Sequence, residues 1–234
     1  MLPPSMPRSL LAIVLTAAAL LTGCGSSGGG LPRVRDTTLV LDFTPNAVHA
    51  GIYSAIAHHL DRTDGLRLHV IAPSASTDSI KLLETGRVNF AILDIHDLAI
   101  ARQRGEQIVG IMAIVERPLA AVIAAPQIRT PRQLAGQTVG ITGVPSDTAV
   151  LDSIVTGAGA DPHKLKTITI GFNAVADLLA GRVGGATAFW NDEGVTLQRH
   201  RRGFHVFRVD AYGAPAYPEL VLCATAGSLR RNPG

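Results

Sequence analysis

Between residues 39 and 224 the chain alternates short, largely apolar runs with stretches of helical periodicity, and this alternation limits the fold more than any other feature. Residues 66–72, 90–93 and 139–142 are typical runs, each closed by polar residues, Gly or Pro. A helical pattern follows each of them. Strands that alternate with helices are typical of a mostly parallel sheet covered by helices. The sequence therefore predicts an α/β protein.

One helix–turn–strand pattern occurs twice. Residues 82–91 contain Leu-Leu-x-x-Gly-Arg-Val-x-x-Ala, and residues 178–186 repeat it with one residue fewer before the glycine. A polar loop follows each copy, at residues 94–96 and 190–193. Two such units predict two lobes of similar construction, whose loops at the strand ends face each other across a cleft. A chance similarity between two glycine turns is the alternative.

Composition and charge narrow the classes of partner. A chain of 234 residues can bury the core of one large domain or two small ones. Its net charge of +3 is small and spread along the chain, which gives no indication of binding to nucleic acid or to a membrane surface. The basic residues at 199–202 are interpreted as the C-terminal turn of a helix, where cations complement the helix dipole. A docking contact is the alternative.

The first 23 residues are typical of a signal peptide. Arg8 precedes an apolar run from Leu10 to Leu21 that is too short to span a bilayer. The sequence Leu-Thr-Gly-Cys at 21–24 resembles the cleavage motif of bacterial lipoproteins, in which Cys24 becomes the lipidated first residue. We therefore expect a signal peptide at 1–23 and a flexible tether at 24–36. The protein would be held to the extracytoplasmic face of the cell membrane by its acyl chains alone. An ordinary signal peptide with an incidental cysteine is the alternative.

Three stretches carry a family resemblance: residues 42–53 (DFTPNAVHAGIY), 189–194 (FWNDEG) and 217–222 (YPELVL). In order and spacing they resemble the periplasmic-type binding proteins for thiamine-pyrimidine precursors, which are relatives of the fungal pyrimidine synthases. The resemblance implies a two-lobed, periplasmic-binding-protein-like fold of type II, with a mostly parallel sheet in each lobe. It also implies the substrate-binding component of an ABC importer, which acts with a membrane permease as a monomer and without a cofactor.

The same resemblance gives the expected domain boundaries. Lobe one comprises residues 37–125 and lobe two comprises residues 126–212. Residues 213–234 make the return crossing to lobe one. Family members continue with helices that pack on lobe one. We therefore expect that layer to be shortened here and part of the lobe-one sheet to be left uncovered.

A pocket for a pyrimidine needs an aromatic surface for stacking and a few fixed polar groups. By resemblance, Asn46, His49 and Glu193 line the ligand pocket. Glu193 is the strongest candidate because a carboxylate can accept hydrogen bonds from an exocyclic amine and a ring N–H together. The other candidates are aromatic or polar residues that follow predicted strands or flank these motifs: Phe43, Tyr53, Asp94, His96, Trp190, Asn191 and Tyr212.

Structural roles remain open for four of these residues. Asn46 can form the turn after Pro45, since asparagine tolerates turn geometry. His49 can cap the helix that follows it, and Asp94 can be only the N-cap of its own helix. Trp190 can belong to the core.

Gly143, Ser146 and Thr148 belong to a loop that opens a helix after a strand. The free N–H groups of such a helix start favour an anion or a carbonyl oxygen. The Gly-Lys-Ser/Thr end of a Walker motif is absent. These three residues are therefore candidate ligand contacts, and a plain cap by Ser146 is the alternative.

Sequence patterns typical of enzymes are missing. The chain has no Gly-x-Ser-x-Gly, His-Glu-x-x-His or Cys-x-x-Cys motif, and its eight His residues have no metal-ligand spacing. Cys223 lies in an apolar run and is expected to be buried and inert. The cysteine-rich stretch of the fungal synthases is absent, and residues 54–65 lack the lysine that would favour synthase chemistry. We expect no catalytic residue and no metal.

The expected function is extracytoplasmic binding of a small planar ligand, a hydroxymethylpyrimidine-like precursor of thiamine, for import. A carrier of sulfonate, nitrate or a similar small anion is one alternative, which Arg or Lys at the strand ends would favour. A pyrimidine-synthase-like enzyme and an interaction-only copy are the others.

Overall fold

The computed structural model describes residues 34–231, so the predicted signal peptide and Cys24 lie outside the described residues. Within that range there are ten strands. They are β1 (Arg35–Val40), β2 (Leu66–Ile71), β3 (Phe90–Asp94), β4 (Ile108–Val115), β5 (Ala120–Ala124), β6 (Thr138–Ile141), β7 (Lys166–Thr169), β8 (Gly185–Phe189), β9 (His205–Arg208) and β10 (Leu220–Thr225).

Eight α-helices lie in the same part of the chain. They are α1 (Ala50–Ala57), α2 (Leu60–Thr63), α3 (Asp78–Glu84), α4 (Ile95–Gln103), α5 (Asp147–Gly157), α6 (Ala174–Leu179), α7 (Glu193–Arg199) and α8 (Ala226–Arg231). Short 3-10 helices cover Ala47–His49, Pro131–Leu134, Pro162–Lys164 and Val209–Tyr212. None of the helices among residues 34–231 has the length and apolar character needed to cross a membrane.

The strands form two sheets with the same topology. The first has the order β2-β1-β3-β10-β4 and the second has the order β7-β6-β8-β5-β9. In the first sheet β10 runs antiparallel to both neighbours, and in the second β5 does the same. The other four strands of each sheet therefore share one direction. This confirms the predicted two-lobed α/β fold, and it places the repeated sequence pattern at β3 and β8, the equivalent central strands.

One predicted boundary differs from the structure. The sequence analysis assigned residues 120–124 to lobe one, but β5 pairs with β8 and β9 in the second sheet. The chain therefore changes sheets between Val115 and Ala120. The apolar runs of β4 and β5 are separated by only four residues, and apolar periodicity does not reveal which sheet a strand will join. Pro126, which suggested the boundary, instead follows the buried β5.

Each lobe has its own core, in which helices pack on its sheet. In the first lobe, Leu83 of α3 and Leu98 of α4 pack around Val40 and Ala91. In the second lobe, Leu151 and Ile154 of α5 pack around Val139 and Phe207. All five residues of β5 are buried, which is typical of a strand at the centre of a covered sheet.

Residues 50–63 form two helices rather than one. His59 adopts the left-handed conformation with φ of 57°, so α1 ends at Ala57 and a separate single turn, α2, begins at Leu60. None of the residues of α1 is fully buried. At the edge of the first sheet that β4 forms, Met112 is 55% exposed.

Two glycines give a matched test of packing. A Cβ at Gly157, at the end of α5, would lie 1.9 Å from the backbone oxygen of Tyr212, whereas a Cβ at Gly51 in α1 would contact nothing within 4 Å. Gly157→Ala should therefore lower the free energy of unfolding by about 1–3 kcal/mol through overpacking. Gly51→Ala should be neutral or raise it by about 0.5–1 kcal/mol. Urea denaturation measures both. Equal stability of the two variants would contradict the packing of Tyr212 on α5.

Candidate functional site

A cleft lies between the two sheets and is lined by residues of both. It encloses about 760 Å³ of space, part of it open to solvent. Strand β1 leads into Asp42 and Phe43, and β3 ends at Asp94. The polar and aromatic side chains along its wall are Asp42, Phe43, Ser76, Ser79, Asp94, Asp97, Thr142, Ser146, Asp147, Phe172, Thr187, Phe189 and Glu193. The cleft therefore collects the loops at the carboxyl ends of strands, where open α/β sheets bind ligands.

The two lobes touch along one side of this cleft. The Ser76 hydroxyl donates to the Thr142 carbonyl oxygen at 2.8 Å. The Ser146 backbone N–H donates to Asp97 Oδ1 at 2.9 Å, which joins the start of α5 to the first turn of α4. The rings of Phe43 and Phe172 meet edge to face with centroids 4.7 Å apart. A ligand in the cleft would therefore contact both lobes.

The wall of the cleft is acidic. Five of its residues carry carboxylates, and none of the lining residues within 34–231 is Lys, Arg or His. Burial, and then the nearby charge of Asp94, raises the pKa of Asp97 to about 7. Burial raises the pKa of Glu193 to about 7, and the charges of Asp192 and Asp42 add to that rise. Such a cleft favours a ligand with N–H donors or positive charge and disfavours an anion.

Glu193 occupies the first turn of α7, and its Oε2 accepts the backbone N–H of Phe189 at 3.0 Å. Its side chain is buried and reaches the cleft from the second lobe. Asp147, by contrast, is fully engaged within that lobe. It accepts from Thr142 Oγ1 at 2.9 Å, Thr187 Oγ1 at 2.7 Å and the backbone N–H of Gly143 at 2.6 Å. Glu193 is thus better placed than Asp147 to accept hydrogen bonds from a ligand.

His49 supports the cleft from behind. It is completely buried, and its Nε2 lies 2.9 Å from Asp42 Oδ1. Its Nδ1 accepts the Asn46 backbone N–H at 3.2 Å, so Nε2 carries the proton and donates to Asp42. Asp42 Oδ2 is buried without a hydrogen-bond partner. His49 therefore orients Asp42, and the second oxygen of that carboxylate is unsatisfied among the described residues.

The structure brings the loops of Asn46 and Glu193 together. Burial raises the pKa of Asp192, and both His49 and Asn46 oppose that rise, so these groups lie close enough to interact across the cleft. The Asn46 side chain accepts the Val48 N–H at 3.0 Å and caps the 3-10 helix at Ala47–His49. Asn46 itself is not among the residues that line the cleft.

Trp190 packs against the crossing between the lobes. Its indole N–H donates to the Pro118 carbonyl oxygen at 3.1 Å, and the Arg208 guanidinium lies 4.3 Å from the ring centroid. The neighbouring Asn191 is half-buried, and its Oδ1 has no hydrogen-bond partner. Neither side chain lines the cleft.

Four further predicted residues also lie outside the lining. Tyr53 is 40% exposed on α1, and Thr148 is exposed in the first turn of α5. Tyr212 packs edge to face on Phe207 at 6.2 Å, inside the second lobe. Gly143 has φ of 94°, and a Cβ there would lie 2.8 Å from Thr169 Cγ2, so glycine is required for the shape of its loop.

Behind Asp94 lies a buried polar network. Asp94 Oδ1 caps α4 by accepting the His96 backbone N–H at 2.7 Å, and it also contacts His96 Nδ1 at 3.0 Å. The His96 ring meets the Tyr217 ring edge to face at 4.5 Å. Asp94, His96 and the fully buried Glu219 each place one potential ligand atom within 4.8 Å of the others. Asp94 and His96 already bond to each other, and Glu219 Oε2 accepts backbone N–H groups, so the set fits an internal network rather than a metal site.

Sequence reasoning missed three important lining residues: Asp42, Asp97 and Phe172. Asp42 stands inside the motif at 42–53, directly after β1. Asp97 follows Asp94 by three residues on the same face of α4, a spacing that marks it as a neighbour. Phe172 follows β7 in a loop with no motif, and only the pairing of the lobes places it opposite Phe43.

A profile of the family described as "NMT1/THI5 like" matches residues 46–234. The chain belongs to this family. The matched range includes α1, both crossings and all strands from β2 to β10. The family resemblance noted in the sequence is thereby confirmed.

Two relatives illustrate the range of the family. The formylaminopyrimidine-binding protein of Halalkalibacterium halodurans is 31% identical over 217 residues, which cover 92% of this chain and 65% of that protein. The 4-amino-5-hydroxymethyl-2-methylpyrimidine phosphate synthase of Legionella pneumophila is 25% identical over 176 residues, which cover 74% of this chain and 55% of that protein. The chain therefore spans just over half to two thirds of the length of these relatives.

Solved structures of the same fold are also similar. The ligand-binding component of an ABC-type import system from Staphylococcus aureus, solved with zinc bound, has a TM-score of 0.67 and 14% identity. The match covers 85% of this chain and 68% of that one. This similarity supports the two-lobed fold.

Proposed function

We propose that this protein is an extracytoplasmic solute-binding protein that captures an amine-bearing pyrimidine between its lobes. One observation carries the proposal: in the part of the chain that the structure describes, the cleft wall combines five carboxylates with three phenylalanines and no basic side chain. A flat heterocycle with an exocyclic amine and ring N–H groups complements such a wall, because the rings offer stacking surfaces and the acids accept its donors. The similarity to a formylaminopyrimidine-binding protein supports the same ligand class.

In this proposal each lobe contributes one acid and one ring. Asp42 and Phe43 act from the first lobe, and Glu193 and Phe172 act from the second. A ligand that bridges them adds contacts between lobes that already meet at Ser146 and Asp97. Ligand binding would therefore favour the closed arrangement by hinge motion about the two crossings.

We further propose that the closed form delivers its ligand to an ABC permease, and that acyl chains on Cys24 hold the protein at the outer surface of the membrane. The Leu-Thr-Gly-Cys sequence at 21–24 supports the anchor. The fold is that of a binding component of an ABC-type import system. We also propose that the chain has the two predicted lobes, except that β5 belongs to the second lobe. Residues 24–36 are proposed to form the flexible tether.

A small-anion carrier is the less favoured function. A sulfonate or nitrate would face the carboxylates of Asp42, Asp94 and Glu193, and no cationic side chain of residues 34–231 lines the cleft. A synthase that builds the pyrimidine from its own histidine is less favoured. Both nitrogens of His49 are engaged, Nε2 with Asp42 and Nδ1 with a backbone N–H. A buried histidine bonded in this way is a support for a carboxylate rather than a reacting group.

A thermal-shift panel tests the proposal. A ligand that binds only the folded state raises the melting temperature in proportion to the logarithm of its concentration. 4-Amino-5-hydroxymethyl-2-methylpyrimidine and its formylamino analogue should raise it by several degrees at a hundredfold excess over Kd, whereas ethanesulfonate and nitrate should not. If only the anions raised the melting temperature, the assigned ligand would be an anion and not a pyrimidine. If the protein converted the pyrimidine to a product, the assigned function would be catalysis and not binding.

A further inference from the structure

Glu219 lies where the two crossings between the lobes meet. It immediately precedes β10 and is completely buried. Its Oε2 accepts the backbone N–H groups of Leu119 and Ala120, at the start of β5. Its own carbonyl oxygen accepts the Ile95 N–H at 3.0 Å. One residue therefore ties the chain entering the second lobe to the chain returning from it and to the start of α4.

The other oxygen of this carboxyl group is unusual. Among residues 34–231, Glu219 Oε1 is buried without a hydrogen-bond partner, and both Asp94 and the Tyr217 hydroxyl, which also lacks a partner, lie close to this carboxyl group. Two adjacent buried carboxylates cannot both ionise without a large electrostatic cost. An Oε1 that carries a proton would instead be a donor, and Asp94 is the acceptor within reach. Protonation would therefore satisfy Oε1 through a hydrogen bond to Asp94.

We propose that Glu219 is a protonated positioning residue, whose Oε1–H donates to Asp94 and fixes the Asp94 carboxylate at the wall of the cleft. Asp94 then accepts from three donors, namely the His96 backbone N–H, the His96 ring and Glu219. The proton on Glu219 therefore links the crossings between the lobes to Asp94, the carboxylate at the wall of the cleft. The contact between Asp94 and a ligand rests on the proposed function. The protonation of Glu219 does not depend on it.

The surrounding groups agree with this assignment. Burial raises the pKa of Glu219 to about 9, and the hydrogen bond and charge of Asp94 add to the rise. For Asp94, burial opposes ionisation, yet the bonds with His96 and Glu219 outweigh it and lower its pKa. The hydrogen bond with Asp94 raises the pKa of His96, and burial raises that of Tyr217. Asp97 adds a further acid on α4, beyond Asp94.

The stability of the ligand-free chain as a function of pH tests the proton. The folded-state pKa of Glu219 lies above its unfolded value, so its stabilisation is complete below the unfolded pKa and is lost as the pH rises through about 9. Glu219→Gln keeps an oxygen for Leu119 and Ala120 and offers an N–H to Asp94 at every pH. The ratio of wild-type to variant folding constants should therefore fall by up to about tenfold per pH unit between about pH 5 and pH 9.

Glu116→Gln is the matched control, because Glu116 lies exposed in the first crossing. The ratio of wild-type to Glu116→Gln folding constants should not change with pH. Asp97 and Glu193 also lose protons near pH 7. They do so in the wild type and in both variants, so their effect on stability cancels when the folding constants are compared as ratios. A pH-independent ratio for Glu219→Gln would overturn the proposal.

Infrared spectroscopy of the wild type covers the case in which Glu219→Gln does not fold. At pH 8.5 a protonated carboxyl band should persist, and it should disappear as the pH rises above about 9. The absence of that band would show an ionised Glu219 and overturn the proposal. Neither measurement uses a ligand, so failure to bind a pyrimidine would refute the proposed function and leave the proton assignment intact.

A third readout separates positioning from a purely structural role. If the proton positions Asp94 for a pyrimidine, wild-type affinity should fall by about tenfold per pH unit above pH 9. Glu219→Gln should retain its affinity over that range. Parallel loss of affinity in both proteins would limit Glu219 to a structural role at the hinge and overturn the positioning assignment.

Discussion

Glu193→Gln should weaken binding of an aminopyrimidine by about tenfold to a hundredfold. The glutamine oxygen can still accept the Phe189 N–H, so the start of α7 is expected to keep its shape. It cannot accept two ligand donors as a charged carboxylate does, and hydrogen bonds to charged groups contribute about 1.5–3 kcal/mol. Isothermal titration calorimetry at pH 8 measures the loss, because the pKa of Glu193 is about 7 and the carboxylate predominates there.

The control for this prediction is Glu116→Gln, which makes the same chemical change at an exposed position outside the cleft. Its affinity should equal that of the wild type. Denaturation curves for both variants separate a loss of contact from a loss of fold. Unchanged pyrimidine affinity in Glu193→Gln would remove Glu193 from the ligand site.

Phe172→Ala should reduce pyrimidine affinity by about tenfold or more. Phe172 meets Phe43 edge to face across the cleft, so its removal takes away both a stacking surface and a contact between the lobes. Aromatic pairs contribute about 0.5–1.5 kcal/mol beyond the area that they bury, and the lost apolar contact with the ligand adds to this. Titration calorimetry of the variant measures the effect, and the stability of the second lobe should change little because Phe172 is only half-buried.

Phe172→Leu and Phe204→Leu complete this series. Leucine at 172 keeps apolar volume but lacks an aromatic face, so its affinity should lie between those of Phe172→Ala and the wild type. Phe204 packs in the core of the second lobe and does not itself line the cleft, so its leucine variant should bind as the wild type does. Equal affinity of Phe172→Ala and Phe204→Leu would exclude the aromatic pair from the site.

The sequence predicted the elements of this fold well because each carries a local signal. The run predicted at 90–93 forms β3 with one residue more, and the helix after it begins with the side chain of Asp94 as its N-cap, the structural role left open by the sequence. The repeated Gly-Arg-Val turn marks equivalent places in both lobes. The break at His59 was missed, since a non-glycine residue at positive φ has no reliable local signature.

The pairing of β5 and the composition of the cleft depend on contacts between distant residues. Nothing near Ala120 indicates that it will lie opposite Phe189. For the site, the family motifs led to Glu193 and to the loop of His49, but they did not separate residues that line the cleft from residues that support it. His49 acts through Asp42, and Trp190 packs on Pro118, because both are held by partners that only the folded chain brings near.

A calorimetric titration of the unmodified chain with 4-amino-5-hydroxymethyl-2-methylpyrimidine and, in parallel, with ethanesulfonate tests the central claim most directly. An acid-and-aromatic cleft should give saturable one-to-one binding of the pyrimidine, with Kd of about 1 μM or lower, and no heat of binding for the sulfonate. Binding of the sulfonate without binding of the pyrimidine would contradict the account.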